Sequence, residues 1–269
     1  MQNQKSNRER NRPITSAFEE NIKALSNELP FYLDKTREIP SKVFSGPSVY
    51  FHKRAIDEAK RKIGEDFLGE RHLEMIYAVL PAWGMHRMGE TLTKMVDYEK
   101  FKKQIMNQEK VIKAMKQKYE DKTIVDVSDE DVKNIVKLMF DIRVSESHSQ
   151  LVSSSKTLHH ILPDIVPPID RAYSLKFMGR TISYQIKNFD QKTEKEKNDA
   201  LDKKIAKEIS VAIEYMEMMK EFMNDKNRLS KMKQYLKDDF NTSLPKLFDN
   251  LVVAFVKRNF PKLEKKNKS

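Results

Sequence analysis

The chain has 269 residues, of which 39% are hydrophobic and 34% are charged, and its formal net charge is +11. Fourteen phenylalanines and nine tyrosines are too many large apolar groups for a disordered chain, whereas only six glycines argue against a β-sandwich, a barrel and a glycine-rich nucleotide fold. The absence of cysteine excludes disulfides, thiolate metal sites and cysteine nucleophiles, and it fits a reducing compartment.

Four helices are predicted in the first half of the chain, because apolar residues recur there at helical spacing. They cover residues 15–26, 51–63, 73–80 and 96–119. Thr15 or Ser16 can cap the first helix, which Pro30 interrupts, and Gly64 ends the second. The third is apolar on all sides, which is typical of a central element, and Pro81 kinks or stops it just before Trp83.

The second half of the chain continues the helical pattern. Ser128 opens a helix in a motif that resembles a capping box, and Ser243 caps an apolar helix that runs to Val256. Between them we predict a charged hinge near 192–199, a long lysine-rich and glutamate-rich helix, and a further helix over 229–236. The expected fold class is therefore all-α, with one helical domain over residues 14–256.

The positive charge is concentrated at the two ends of the chain. Residues 1–13 carry four cations and one anion, and residues 257–269 carry six cations and one anion. The ends thus supply +8 of the net +11, and we predict a flexible basic arm and a flexible basic tail. Such ends suit phosphate contact through counterion release, but they are equally common as solubility tails with no specific partner.

Residues 151–173 form the most informative segment of the sequence. Ser153, Ser154 and Ser155 can turn the chain and cap a helix, whose first-turn amides would favour an anion. Lys156 adds positive charge at the same place. Three prolines then enforce a short helix and an extended passage, so that Asp170 and Arg171 begin the next helix. Asp170 is therefore either a functional carboxylate or only a helix cap.

Three segments resemble proteins that we know. They are FSGPSVYFH at 44–52, AWGMHRMG at 82–89 and SKTLHHILPDIVPPIDR at 155–171. They look like a family of prokaryotic proteins of poorly defined function and, more distantly, like the helix-hairpin-helix DNA glycosylases. By this resemblance the step 168–170 delivers Asp170 as the catalytic carboxylate, and residues 153–156 bind a DNA phosphate. Serines stand where that superfamily has glycines, and Lys156 precedes the acid by only 14 residues, so no lysine nucleophile is assigned.

The resemblance implies excision of a damaged or modified base, in DNA repair or in defence against phage. A carboxylate can stabilise the positive charge that develops on the sugar, and a flipped base needs aromatic and polar partners in a pocket. The candidate substrate-binding residues are Trp83, Tyr50, His52, His86, Tyr173 and Arg171. Taken individually, the aromatic residues are more commonly core residues.

No cofactor or metal is predicted. His159 and His160 are adjacent, so on a helix they point about 100° apart and cannot readily share a ligand. Nucleotide-binding and hydrolase-triad motifs are missing, and no apolar stretch reaches the length of a membrane span. We therefore expect a soluble cytoplasmic protein, and the resemblance implies that its partner is DNA. A helical DNA- or RNA-binding protein without enzymatic activity and a helical protein-interaction scaffold remain the alternatives.

Overall fold

The structure, a computed structural model, describes residues 16–42, 45–85, 95–183, 185–236 and 240–261. Regular structure in these ranges is helical, so the prediction of an all-α fold is confirmed. The α-helices are α1 (Ser16–Asn27), α2 (Leu29–Thr36), α3 (Ile39–Lys42), α4 (Pro47–Ala59), α5 (Glu70–Ala82), α6 (Tyr98–Met106), α7 (Glu109–Lys118), α8 (Asp129–Asp141), α9 (Leu151–His159), α10 (Glu194–Asn224), α11 (Lys226–Lys233) and α12 (Leu244–Asn259). Arg171–Leu175 form a π-helical turn.

The predicted helix boundaries hold where a cap or a proline sets them. Ser128 and Ser243 accept hydrogen bonds from backbone amides at the starts of α8 and α12. Pro30 lies in the first turn of α2, where its missing amide proton costs nothing. Pro81 lies in the last turn of α5, and Gly84 follows it with a positive φ of 81° that favours glycine.

Four local predictions are wrong. The second predicted helix, 51–63, is α4, and it ends at Ala59 and not at Gly64. The long helix over 96–119 is two helices, α6 and α7, since the polar pair at 107–108 interrupts the amphipathic pattern. The predicted hinge near 192–199 instead contains the start of α10, which Thr193 and Glu196 stabilise with a capping box. The basic tail was predicted to begin at residue 257, but residues 257–259 are the end of α12.

Helix α9 lies at the centre of the molecule. All nine of its residues are buried, and it contacts α5, α8 and α10. Helix α12 packs on α2 and on the π-helical turn, and twelve of its residues are buried. The core therefore surrounds the informative segment of the sequence. No helix in the described ranges has both the length and the apolarity needed to cross a bilayer.

The ends of the chain lie largely outside the described residues. Residues 1–13 and 262–269, which hold most of the predicted basic arm and tail, belong to that part. Within α12, Arg258 pairs with Glu28 at 2.8 Å and its guanidinium lies 4.3 Å from the Phe31 ring centroid. One of the predicted tail cations therefore contacts the folded helices.

Candidate functional site

Asp170 begins the π-helical turn, as the sequence predicted. Its carboxylate accepts a hydrogen bond from the Ala172 amide at 2.7 Å, and its own amide donates to the Ser174 hydroxyl at 2.9 Å. The prolines at 163, 167 and 168 keep the preceding residues out of a regular helix. π-Helical turns are rare in proteins, and they are frequent at functional sites.

The carboxylate of Asp170 also forms an ion pair with Lys156. The Lys156 Nζ is 2.9 Å from Oδ2, and the lysine side chain is only 7% exposed, whereas the aspartate is 28% exposed. Burial acts to raise the pKa of Asp170, but the Lys156 ammonium and backbone hydrogen bonds outweigh it and hold the pKa below its usual value. Asp170 is therefore an anion at neutral pH with one edge open to solvent.

The three serines do not form the predicted turn. Ser153, Ser154 and Ser155 lie inside α9 and are at most 1% exposed, so their hydroxyls do not face a surface where phosphate could bind. They bond to backbone instead: Ser154 donates to the Ile142 carbonyl at 2.6 Å, and Ser155 accepts from the Ile169 amide at 3.1 Å. The serines thus fix the passage that leads into Asp170.

The amino terminus of α9 already has an anion from the protein itself. Glu208, a buried residue of α10, accepts hydrogen bonds from the amides of Gln150 and Leu151 at 3.0 and 3.1 Å. This carboxylate satisfies the helix dipole that the sequence analysis assigned to a DNA phosphate. The phosphate-binding prediction for residues 153–156 is therefore wrong in this geometry, and Lys156 faces Asp170 instead.

Trp83 lies beside the ion pair. Its carbonyl accepts a hydrogen bond from the Lys156 Nζ at 3.4 Å, and its ring centroid is 5.8 Å from the same nitrogen. The indole nitrogen donates to the Ser48 carbonyl at 3.1 Å, which ties the end of α5 to α4. Trp83 is half-buried, and Lys156 contacts both it and the Asp170 carboxylate.

Tyr173 is half-buried and lies in the turn that Asp170 caps. Trp83, Tyr173 and Val49 pack against the same small cluster of apolar residues. That cluster consists of Ile39, Phe240 and Val253. Two of the predicted aromatic residues therefore share one apolar patch with the Asp170 turn.

Other predicted site residues lie apart from this patch or outside the description. Tyr50 is 60% exposed and contacts the Phe51 ring. Arg171 donates to the Ile182 carbonyl at 3.0 Å and to the Ser149 hydroxyl, so it braces the loop ahead of α9. His86 falls outside the described residues.

His52 belongs to a buried chain of hydrogen bonds beneath Trp83. Its ring lies 5.1 Å from the Trp83 ring, its Nδ1 is 3.0 Å from His160 Nε2, and its Nε2 is 3.0 Å from the Thr242 hydroxyl. His160 Nδ1 is 2.7 Å from the Lys156 carbonyl, which can only accept. His160 therefore carries its proton on Nδ1, His52 donates to it, and Thr242 donates to His52.

All four core histidines are neutral at physiological pH. Burial lowers the pKa of His72 to about 4 and that of His159 to about 3, and it holds the pKa values of His52 and His160 well below the usual range. His52 is consequently a weak base at neutral pH despite its contact with Thr242. Two of them, His52 and His160, pack against the Trp83 ring, and His160 also bonds to the Lys156 carbonyl.

A second ion pair, which the sequence did not reveal, lies in α12 close to the Trp83 ring. Lys246 Nζ is 2.6 Å from Asp249 Oδ2, and the two side chains are 2% and 8% exposed. Burial lowers the pKa of Lys246 and raises that of Asp249, whereas each partner acts against the burial effect on the other. The available signal was charge within the apolar helix α12, at positions three residues apart.

The described residues thus bring together two cation–carboxylate pairs, two half-buried aromatic rings and a histidine chain. No group of three or more potential metal ligands occurs among them. Clusters of buried ionisable groups with shifted pKa values are typical of functional sites. No protein-family model matches the chain, and neither curated proteins nor solved structures gave a match.

Proposed function

We propose that the protein is a DNA glycosylase that cleaves the N-glycosidic bond of a damaged or modified nucleotide at Asp170. The observation that carries this proposal is the ionised carboxylate of Asp170, partly open to solvent beside the half-buried Trp83 ring. When the C1′–N bond breaks, its electron pair leaves with the base and positive charge develops on the sugar. A fixed carboxylate stabilises that charge and orients the water that attacks C1′, and the proton that this water loses neutralises the departing base through solvent.

Lys156 has a supporting role in this scheme. It keeps Asp170 ionised within a largely buried environment, and the same ammonium donates to the Trp83 carbonyl, so one lysine contacts both residues. The aromatic patch of Trp83 and Tyr173 supplies a surface on which an extruded base can stack. A carboxylate with an adjacent aromatic surface suits a flipped nucleotide better than it suits the phosphate backbone, whose negative charge Asp170 would repel.

Base release tests the proposal directly. The protein is incubated with genomic DNAs that carry different natural modifications, and free bases are identified by mass spectrometry. Asp170→Asn should abolish release, whereas Asp225→Asn should not, because Asp225 caps the amino terminus of α11 and is exposed. The second variant is a matched control for loss of a capping carboxylate.

The ion pair requires one further control. Asp170→Asn leaves the buried Lys156 ammonium without its carboxylate, which should cost about 1–3 kcal/mol of stability. The double variant Asp170→Asn/Lys156→Met removes both charges and should recover most of this loss. An inactive double variant with a native-like melt supports the catalytic assignment. Base release by either folded variant contradicts it, and DNA binding without any release by the native protein would indicate a binding module.

A further inference from the structure

Lys246 is a buried cation that the proposed chemistry does not use. It lies in the first turn of α12, is 1% exposed, and its neighbours on the helix are mostly apolar core residues. Its ion pair with Asp249 satisfies the charge. Transfer of two charges out of water costs several kcal/mol per ion, and replacement of a buried pair by apolar residues is often neutral or stabilising. Stability alone therefore gives little reason for this pair.

The position of the ammonium suggests a different role. Lys246 Nζ is 4.8 Å from the Trp83 ring centroid and 4.6 Å from the Phe240 ring centroid, so it contacts both aromatic rings. A cation at this distance from a ring is attracted by the ring quadrupole, and the attraction is strongest when the cation is desolvated. The ring also packs against His52 and His160, with centroids 5.1 and 4.9 Å away, and its nitrogen bonds to Ser48, so Lys246 adds the charged contact from the α12 side.

We propose that Lys246, held in place by Asp249, is a positioning residue that fixes the Trp83 indole ring where it stacks on the substrate base. The part that concerns the substrate rests on the proposed function, whereas the part that concerns the indole does not. Both members of the first ion pair act on the Lys246 ammonium, since Lys156 lowers its pKa and Asp170 raises it. The Lys246 ammonium thus joins α12 to the indole that forms the proposed stacking surface.

The indole provides its own probe, because Trp83 is the sole tryptophan in the sequence. The test compares the native chain with Lys246→Met/Asp249→Leu, which removes both buried charges, and with the conservative Lys246→Arg. The variant Arg180→Met/Glu214→Gln is the matched control, since it removes an ion pair of 2.9 Å between the segment after the π-helical turn and α10. Acrylamide quenching and anisotropy of tryptophan emission report how firmly the ring is held.

The double variant at 246 and 249 should melt like the native protein, yet its tryptophan quenching constant should rise about twofold and its anisotropy should fall. Affinity for a duplex that carries a 2′-fluoro, uncleavable form of the nucleotide whose base is released should drop about tenfold, because that base then stacks on a less firmly held indole. In base release, KM should rise with little change in kcat, because Asp170 is intact. Lys246→Arg should restore much of each signal, and the control variant should change none.

Unchanged quenching and anisotropy in a folded double variant would overturn the positioning role, whatever the enzymatic result. A looser indole with undiminished affinity for the duplex that carries the uncleavable nucleotide would overturn the link to substrate. If no base is released by the native protein while the indole still loosens in the variant, the proposed glycosylase activity fails and the positioning of Trp83 by Lys246 stands.

Discussion

Acidification should destabilise this protein steeply, and the cause lies in the core histidines. Four histidines are fully buried, and burial keeps their imidazoles neutral: His52, His72, His159 and His160. In the unfolded chain they titrate near the ordinary value of 6.5. Since their folded pKa values are lowered, the unfolded state binds more protons than the folded state once the pH falls below that value.

The size of the effect follows from proton linkage. A histidine that stays neutral in the fold at about pH 5, while it protonates freely in the unfolded chain, costs about 2 kcal/mol of stability. Four such residues therefore cost about 8 kcal/mol, most of the 5–15 kcal/mol that a typical domain has in total. The loss begins near 6.5 and ends for each residue at its folded pKa, about 4 for His72 and about 3 for His159. Burial raises the pKa values of Asp164 and Asp249, which offsets part of this loss.

Urea melts at a series of pH values measure this loss. The free energy of unfolding should be flat near pH 7 and should then fall by about 1.4 kcal/mol per pH unit for each buried histidine as the pH decreases. His72 donates to the His160 carbonyl at 2.9 Å, a bond that a glutamine amide can replace. His72→Gln should therefore reduce the slope by about a quarter. A free energy of unfolding that changes by less than about 1 kcal/mol between about pH 7 and 5 would refute the reasoning.

Further predictions concern the ion pair, the serines and the ends of the chain. Lys156→Met should raise the pKa of Asp170, because burial then acts without the ammonium that opposes it. The acidic limb of the pH–rate profile should therefore move to higher pH, and an unmoved limb would contradict the role of Lys156. Ser155→Ala leaves a buried amide without its acceptor and should cost about 1–3 kcal/mol in urea melts, without change in the salt dependence of DNA binding. Deletion of residues 1–13 and 262–269 should weaken binding to all DNA sequences alike and flatten its dependence on salt, and a full salt slope in the truncated protein would exclude the ends from phosphate contact.

The sequence predicted the helices well because their signals are local. Apolar spacing and the caps at Ser128 and Ser243 are enough to place α8 and α12, and the prolines before Asp170 are enough to place it at the start of a helical turn. The serines of α9 were misread because serine favours turns in isolation. Their hydroxyls are satisfied by backbone groups of distant segments, such as Ile142 and Ile169, which local patterns do not reveal.

The candidate site was only partly predictable for the same reason. Asp170, Trp83 and Tyr173 stand in or near recognisable motifs, and the fold brings them to one patch. Lys246 and Asp249 lie about eighty residues beyond the motif, and a lysine in the first turn of a helix normally reads as a solvated side chain. The two charges meet Trp83 only because the packing of α12 buries them, and that packing is not visible in the sequence.

The most direct test of the central claim uses two DNA duplexes that differ in the charge of one residue. One carries a cationic pyrrolidine in place of a sugar, as a mimic of the charge in the transition state, and the other carries a neutral tetrahydrofuran of nearly the same shape. If Asp170 stabilises positive charge on the sugar, the native protein should bind the cationic duplex about tenfold more tightly, and Asp170→Asn/Lys156→Met should bind the two equally. Equal affinity of the native protein for both duplexes would contradict the catalytic role of Asp170.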